Sequence, residues 1–134
     1  NIVNQGLPFY GGALTYRLSA ATSGGNVRLR VPHYRGAVMS VTIDGRDAGI
    51  IALPPYALDL GALPAGIHDI GITLYVSRAN AFGPVHMADS TFSWHGPNAW
   101  RTNGDFWTYE YRLLPEGVLS TPILTETLNN GGEI

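Results

Sequence analysis

Between Ser93 and Trp107 the sequence reads SWHGPNAWRTNGDFW, which is the densest collection of chemistry-bearing side chains in the chain. A flat indole can stack on the apolar face of a pyranose, and planar groups such as Arg, Asn and Asp match pairs of neighbouring hydroxyls. Trp94, His95, Asn98, Trp100, Arg101, Asn103 and Asp105 therefore form a candidate carbohydrate-binding surface. The same tryptophans suit a second role, which is the more ordinary one for such residues: capping an open end of the fold or facing a neighbouring domain. Residue types alone leave both readings open.

Other chemistries find less to work with. A pair of catalytic carboxylates for glycoside hydrolysis must stand roughly 5 to 9.5 Å apart. Asp105 and Glu110 are the plausible pair, but Glu110 alternates with Trp107, Tyr109 and Tyr111 and falls on the opposite strand face, where a surface pairing with arginine explains it. The expectation is that this chain holds no catalytic residues. No serine lies in a G-x-S-x-G elbow, and His33, His68, His86 and His95 show no close metal-ligand spacing. His86 and His95 are nine residues apart in an aperiodic stretch, which neither supports nor forbids joint ligation. Histidines satisfied by local hydrogen bonds are the expected reading.

Bulk composition narrows the partners. The 134 residues fit one domain, and the net charge of −2 with no basic cluster beyond Arg28-x-Arg30 excludes an electrostatic footprint for nucleic acid. All eight basic residues are arginine, so Schiff-base and lysine-base chemistry are excluded. With no cysteine there is no disulfide, thiolate catalysis or thiolate-bound zinc, and the redox compartment, cytoplasmic or secreted, is unreadable. No apolar run approaches the ~18 residues of a membrane span, so no membrane partner is expected. The opening Asn1-Ile2-Val3-Asn4 has neither an initiator methionine nor the pattern of a signal peptide, which predicts a segment of a larger or matured protein.

The elements that must position the aromatic loop are strands. Only 13% of residues are charged, while 17 glycines and 9 prolines fit short strands and tight turns better than long helices. Leu14, Tyr16 and Leu18 alternate with Thr15, Arg17 and Ser19, and Val27, Leu29 and Val31 with Arg28 and Arg30. Arg17, Arg28, Arg30 and Arg35 are expected on a solvated face. Ala37, Met39, Val41 and Ile43 mark the inner face of the next strand. An Asp44-Gly45 hairpin turn then leads into Ala48, Ile50 and Ala52; Val38 and Ile51 make the opposite face apolar too, which leaves inside and outside unassigned here and suits one of the two faces to lying against another domain. Pro54-Pro55 breaks the run before Tyr56, Leu58 and Leu60. The spacing of Leu60 and Leu63 ahead of Pro64-Ala65-Gly66 suggests one helical turn. Ile70, Ile72, Leu74 and Val76 then form the clearest strand, expected at the centre of a sheet. Periodicity disappears from Ser77 to Asp105. A last strand is expected over Phe106 to Leu114, its Trp107, Tyr109, Tyr111 and Leu113 facing the core, and residues 125–134 as a tail. Roughly seven to nine strands spaced at turn-signal intervals predict an all-β sandwich.

Several of these stretches together resemble a known family. FYGGALTYRL, VTIDGRDAG, PPYALDLGALPAGIHDIGITLYV and WTYEYRLLPEGVLSTPIL look like the galactose-binding-like jelly-roll modules of large bacterial glycoside hydrolases. The likeness extends to the sugar-binding domains of family 2 glycosidases and the terminal modules of α-L-rhamnosidase-type enzymes, and it covers residues 7–124. It implies a jelly-roll β-sandwich with a non-catalytic, ancillary role beside a catalytic domain of the same parent chain. In such modules the sandwich binds carbohydrate, shapes the neighbouring active site or holds domains together. Structural calcium is common in these folds, yet no D-x-D-x-D run marks a site here, and no cofactor is expected.

Overall fold

Val27, Leu29 and Val31 are buried while Arg28 and Arg30 are exposed, so a period of two decides which face of this segment meets the core. The structure, a computed structural model, describes residues 1–89 and 96–128. Nine strands follow in chain order: β1 (Ala13–Thr22), β2 (Asn26–Arg30), β3 (Tyr34–Arg35), β4 (Val38–Ile43), β5 (Arg46–Ile51), β6 (Ala57–Ala62), β7 (Gly66–Tyr75), β8 (Gly117–Val118) and β9 (Ile123–Thr127). They form antiparallel sheets of order β1-β7-β4-β5 and β6-β2-β9, with a small β3-β8 pair beside them. The architecture is an all-β sandwich.

β7 has the central place that its aliphatic row predicts. Ala13 lies opposite Tyr75 and Thr22 opposite Gly66 along β1, while Val38 opposite Tyr75 and Ile43 opposite Ile70 fix β4 on its other side. Ile70, Ile72 and Leu74 meet Met39, Val41 and Ile51 of the same sheet and Leu29 and Val31 from the second sheet, and together they make the core. The outward arginines Arg17, Arg28, Arg30 and Arg35 are all exposed. Arg28 sits 3.5 Å from Asp59 across β2 and β6, a solvated ion pair that contributes little.

The Asp44-Gly45 turn forms as the sequence predicts, both residues having left-handed φ values of 48° and 77°, the geometry of a two-residue hairpin whose twist matches its strands. Past the turn, the structure decides which face is inner. Val41 pairs with Gly49 and Thr42 with Asp47, so Ala48 is an extra residue in β5. A bulge of this kind reverses which face each later residue takes. Ile51 is consequently buried opposite Met39 and Ile50 is 63% exposed, although unbroken alternation would place Ile50 on the face of Ala48 and Ala52. The bulge sits at Gly49, whose φ of 127° favours glycine.

Three expectations are corrected. Leu60 belongs to β6, which continues to Ala62 and passes through an open connection to β7 with no helical turn. β9 carries the fold three residues beyond Leu124, into the stretch expected as tail. Phe106 to Leu114 is not a strand of either sheet; its one bridge joins Trp107 to Met87. Tyr109 and Tyr111, expected in the core, are 87% and 57% exposed.

Candidate functional site

Residues 77–89 and 96–115 leave the sandwich as a lobe, and buried polar groups root it. Asn80, in the short helix α1 (Ala79–Phe82), is buried and uses its amide as a strand would. Its Nδ2 donates to the Leu114 carbonyl at 2.8 Å, and its Oδ1 accepts from the Leu114 N–H at 2.9 Å. Beside it the Ser77 hydroxyl donates to the buried Glu116 carboxylate and accepts from the Ala79 N–H at 3.2 Å. The Glu116 backbone in turn accepts from the Ile2 N–H at 2.8 Å and donates to the Asn1 side chain at 3.3 Å. Both ends of the lobe are thereby tied to each other and to the start of the chain.

Within the lobe, residues 85–88 and 106–112 run side by side. Ala88 donates to the Phe106 carbonyl at 2.8 Å, Thr108 to that of His86 at 2.9 Å and Arg112 to that of Val85 at 2.7 Å. This pairing lines up a succession of rings. Phe9 meets Tyr111 at 5.0 Å between centroids, Tyr111 meets His86 at 4.6 Å, His86 meets Trp107 at 5.6 Å and Trp107 meets Tyr109 at 4.2 Å. The first three separations fall in the range of about 4.5–7 Å where edge-to-face and tilted aromatic pairs attract, and the Trp107–Tyr109 pair is closer still. His86 is fixed within the row because its Nδ1 lies 2.9 Å from the Thr108 carbonyl oxygen, which can only accept, so Nδ1 carries the proton. Beyond Tyr109, Glu110 and Arg112 stand 3.7 Å apart on the exposed side.

The structure divides the candidate residues. Trp94 and His95 lie outside the described residues. Asn98 belongs to a 3₁₀ turn, Pro97–Trp100, that sets Trp100. The Trp100 indole is half exposed, and its Nε1 donates to the Phe82 carbonyl at 3.1 Å. It lines a largely apolar cavity of about 460 Å³ with Met87, Arg112, Leu113 and Leu114. The Arg101 guanidinium lies over the Phe106 ring, 5.5 Å from its centroid, a cation–π contact. Asn103 and Asp105 are exposed on the turn that leads to Phe106.

Sequence reasoning therefore found the lobe but misplaced its aromatic row. Phe9, His86, Trp107, Tyr109 and Tyr111 form that row, and three of them had been assigned to the core. The usable signal was the unpaired character of the segment, which follows a long aperiodic stretch. Among the described residues no three His, Asp or Glu side chains are grouped closely enough to hold a metal ion. Asp105 and Glu110 are both exposed, and Glu110 is engaged by Arg112.

No protein family profile and no curated protein matches this sequence. Among solved structures, a rhamnosidase from Novosphingobium sp. PP1Y has a similar fold, with a TM-score of 0.61 and 21% identity over 87% of this chain. The chain spans 11% of the length of that rhamnosidase. At this identity the likeness is one of fold, that of a domain within a much larger chain.

Proposed function

We propose that this chain is a non-catalytic ancillary module of a glycoside hydrolase and that its aromatic lobe binds carbohydrate. One observation carries the reading: an unbroken row of rings ends in the exposed Tyr109 and is flanked by the Glu110–Arg112 pair. A pyranose needs both an apolar plane and planar polar groups within reach of its hydroxyls, and residues 109–112 carry both kinds of group. The fold shared with a segment of a rhamnosidase supports the class of parent protein. Trp100, Arg101, Asn103 and Asp105 lie on the same lobe and extend the candidate surface.

Titration with a panel of mono- and oligosaccharides, read by tryptophan fluorescence and calorimetry, tests the proposal. The expected result is weak saturable binding, with Kd on the order of 0.1–1 mM, that is lost in Tyr109→Ala and reduced in Trp100→Ala. Absence of a response to every sugar overturns it.

A second reading follows from the extent of the exposed apolar surface. Phe82, Trp100, Phe106, Tyr109 and Tyr111 are each at least half exposed, more ring area than one sugar covers, and contiguous apolar patches of this kind mark protein interfaces. In this reading the lobe packs on the catalytic domain of the same parent chain. Hydroxyl-radical footprinting of the full-length parent would then show these rings protected, whereas carbohydrate binding leaves them reactive until sugar is added.

A further inference from the structure

At the end of β7 opposite the lobe's root, His68 is 6% exposed at an edge of the sandwich. Its Nδ1 lies 2.7 Å from Asp44 Oδ2 and its Nε2 lies 3.0 Å from the Pro64 carbonyl oxygen. A carbonyl oxygen only accepts, and it is already taken once by the Thr22 hydroxyl at 2.6 Å. The other Asp44 oxygen accepts the Asp69 N–H at 2.9 Å, which suits an ionised carboxylate. Both ring nitrogens therefore face acceptors. A neutral imidazole has one donor, so it would leave a lone pair pointing at an oxygen.

We infer that His68 is held as a buried imidazolium and that, with Asp44, it forms a pH-sensitive clasp at this end of the sandwich. The clasp ties the β4–β5 turn, through Asp44, to a part of the chain remote from it in sequence: the β6–β7 connection through Pro64 and the adjoining β7, which carries His68 and Asp69. Thr22 adds the end of β1 through the same carbonyl. Asp44, Arg46, Asp47, Leu60, Leu63 and His68 also wall a cavity of about 470 Å³ between the turn and the connection. The two walls are thus coupled through one proton.

The charged surroundings favour the cation. Asp44 and Asp69 bring negative charge from the turn and from β7, while Asp47 and Arg46 stand on β5. Among the described residues β1 and the β6–β7 connection bring only Thr22, the Pro64 carbonyl and aliphatic groups to the site. The hydrogen bond to Asp44 first, then that to Pro64, raises the His68 pKa above its ordinary value against the cost of burial. The bond from His68, then the Asp69 N–H, lowers that of Asp44. For His68, a raised folded-state pKa means that the stabilisation is complete below the unfolded value of about 6.5 and is lost as pH rises through the folded value. For Asp44, a lowered one means that it is complete above about 3.9 and is lost as pH falls through the folded value. The clasp is closed between these limits and opens on the alkaline side when His68 loses its proton.

Nitrogen-15 NMR of the histidine side chains across pH 5–9 tests this. At neutral pH both His68 nitrogens are expected to be protonated, with a midpoint above the ordinary histidine range. The midpoint should fall in Asp44→Asn, a substitution that the left-handed turn position tolerates. The thermal midpoint of the natural sequence should decline as pH rises through the His68 transition, and that decline should be absent in Asp44→Asn and in His68→Gln. A neutral single tautomer at pH 7, a midpoint at or below the ordinary range, or the same pH slope in Asp44→Asn would each overturn the clasp. Asp44 is partly exposed on a turn, so its variant keeps the test available if His68→Gln does not fold.

Discussion

The sandwich and the lobe are made from similar proportions of large apolar side chains, yet they use them in opposite ways. In the sandwich, Leu29, Met39, Val41, Ile72 and Leu74 are completely buried and backbone pairing runs the length of each strand. In the lobe, Phe82, Tyr109 and Tyr111 are mostly exposed, and the two tyrosines pack on neighbouring rings, Tyr109 on Trp107 and Tyr111 on His86 and Phe9. Aliphatics packed between sheets stabilise the fold, whereas the lobe's rings pack edge to face or tilted at the surface and stay partly exposed.

This contrast can be broken by mutation. The largest effect is expected for Ile72→Ala, which empties the fully buried middle of β7 and should cost about 2–5 kcal/mol in urea denaturation. Next comes Asn80→Ala at the junction of the two regions. It leaves the Leu114 N–H and carbonyl without their partner, for a loss of about 1–3 kcal/mol, and should speed amide exchange at Arg112 and Leu114 while leaving β7 protected. Tyr109→Ala should change stability by less than about 0.5 kcal/mol. A loss from Tyr109→Ala comparable to that from Ile72→Ala would make the lobe part of the core and remove the ground for a binding role.

The same contrast explains what could be read in advance. β1, β2, β4 and β7 alternate cleanly because each has one face in the core and one in solvent, and their assignments hold. β5 alternates just as cleanly, but the extra residue at Ala48 reverses its faces, and a bulge leaves no mark in hydrophobic period beyond the glycine that follows. Residues 106–114 alternate because rings face rings and polar groups face water. Period two reports two unlike faces without saying what covers the apolar one. The Asp44–His68 pair was illegible for another reason. The two are far apart along the chain, and only the register placing Ile43 opposite Ile70 brings the turn carboxylate beside β7. Turn chemistry accounts for an aspartate at that position on its own, which concealed its second task. Of the candidate surface, Trp100 and Arg101 were legible as exposed aromatic and cationic groups, while their neighbours in the aromatic row depended on how the lobe pairs with itself.

The strand order has a consequence for how the chain acquires its shape. β2, the second strand made, lies between β6 and β9, and β1, the first, is completed only by β7. A nascent chain emerging from the ribosome therefore carries Val27 and Leu29 without a full set of partners until Thr127 has been synthesised. Contacts so distant in sequence require large loops to close before they stabilise anything, which slows folding and prolongs exposure of unpaired edges. During that interval the alternating arginines of β2 keep one face of the waiting strand charged and so discourage premature pairing with other chains. A side-chain pattern that reads as ordinary surface in the finished sandwich thus protects it while it is being made.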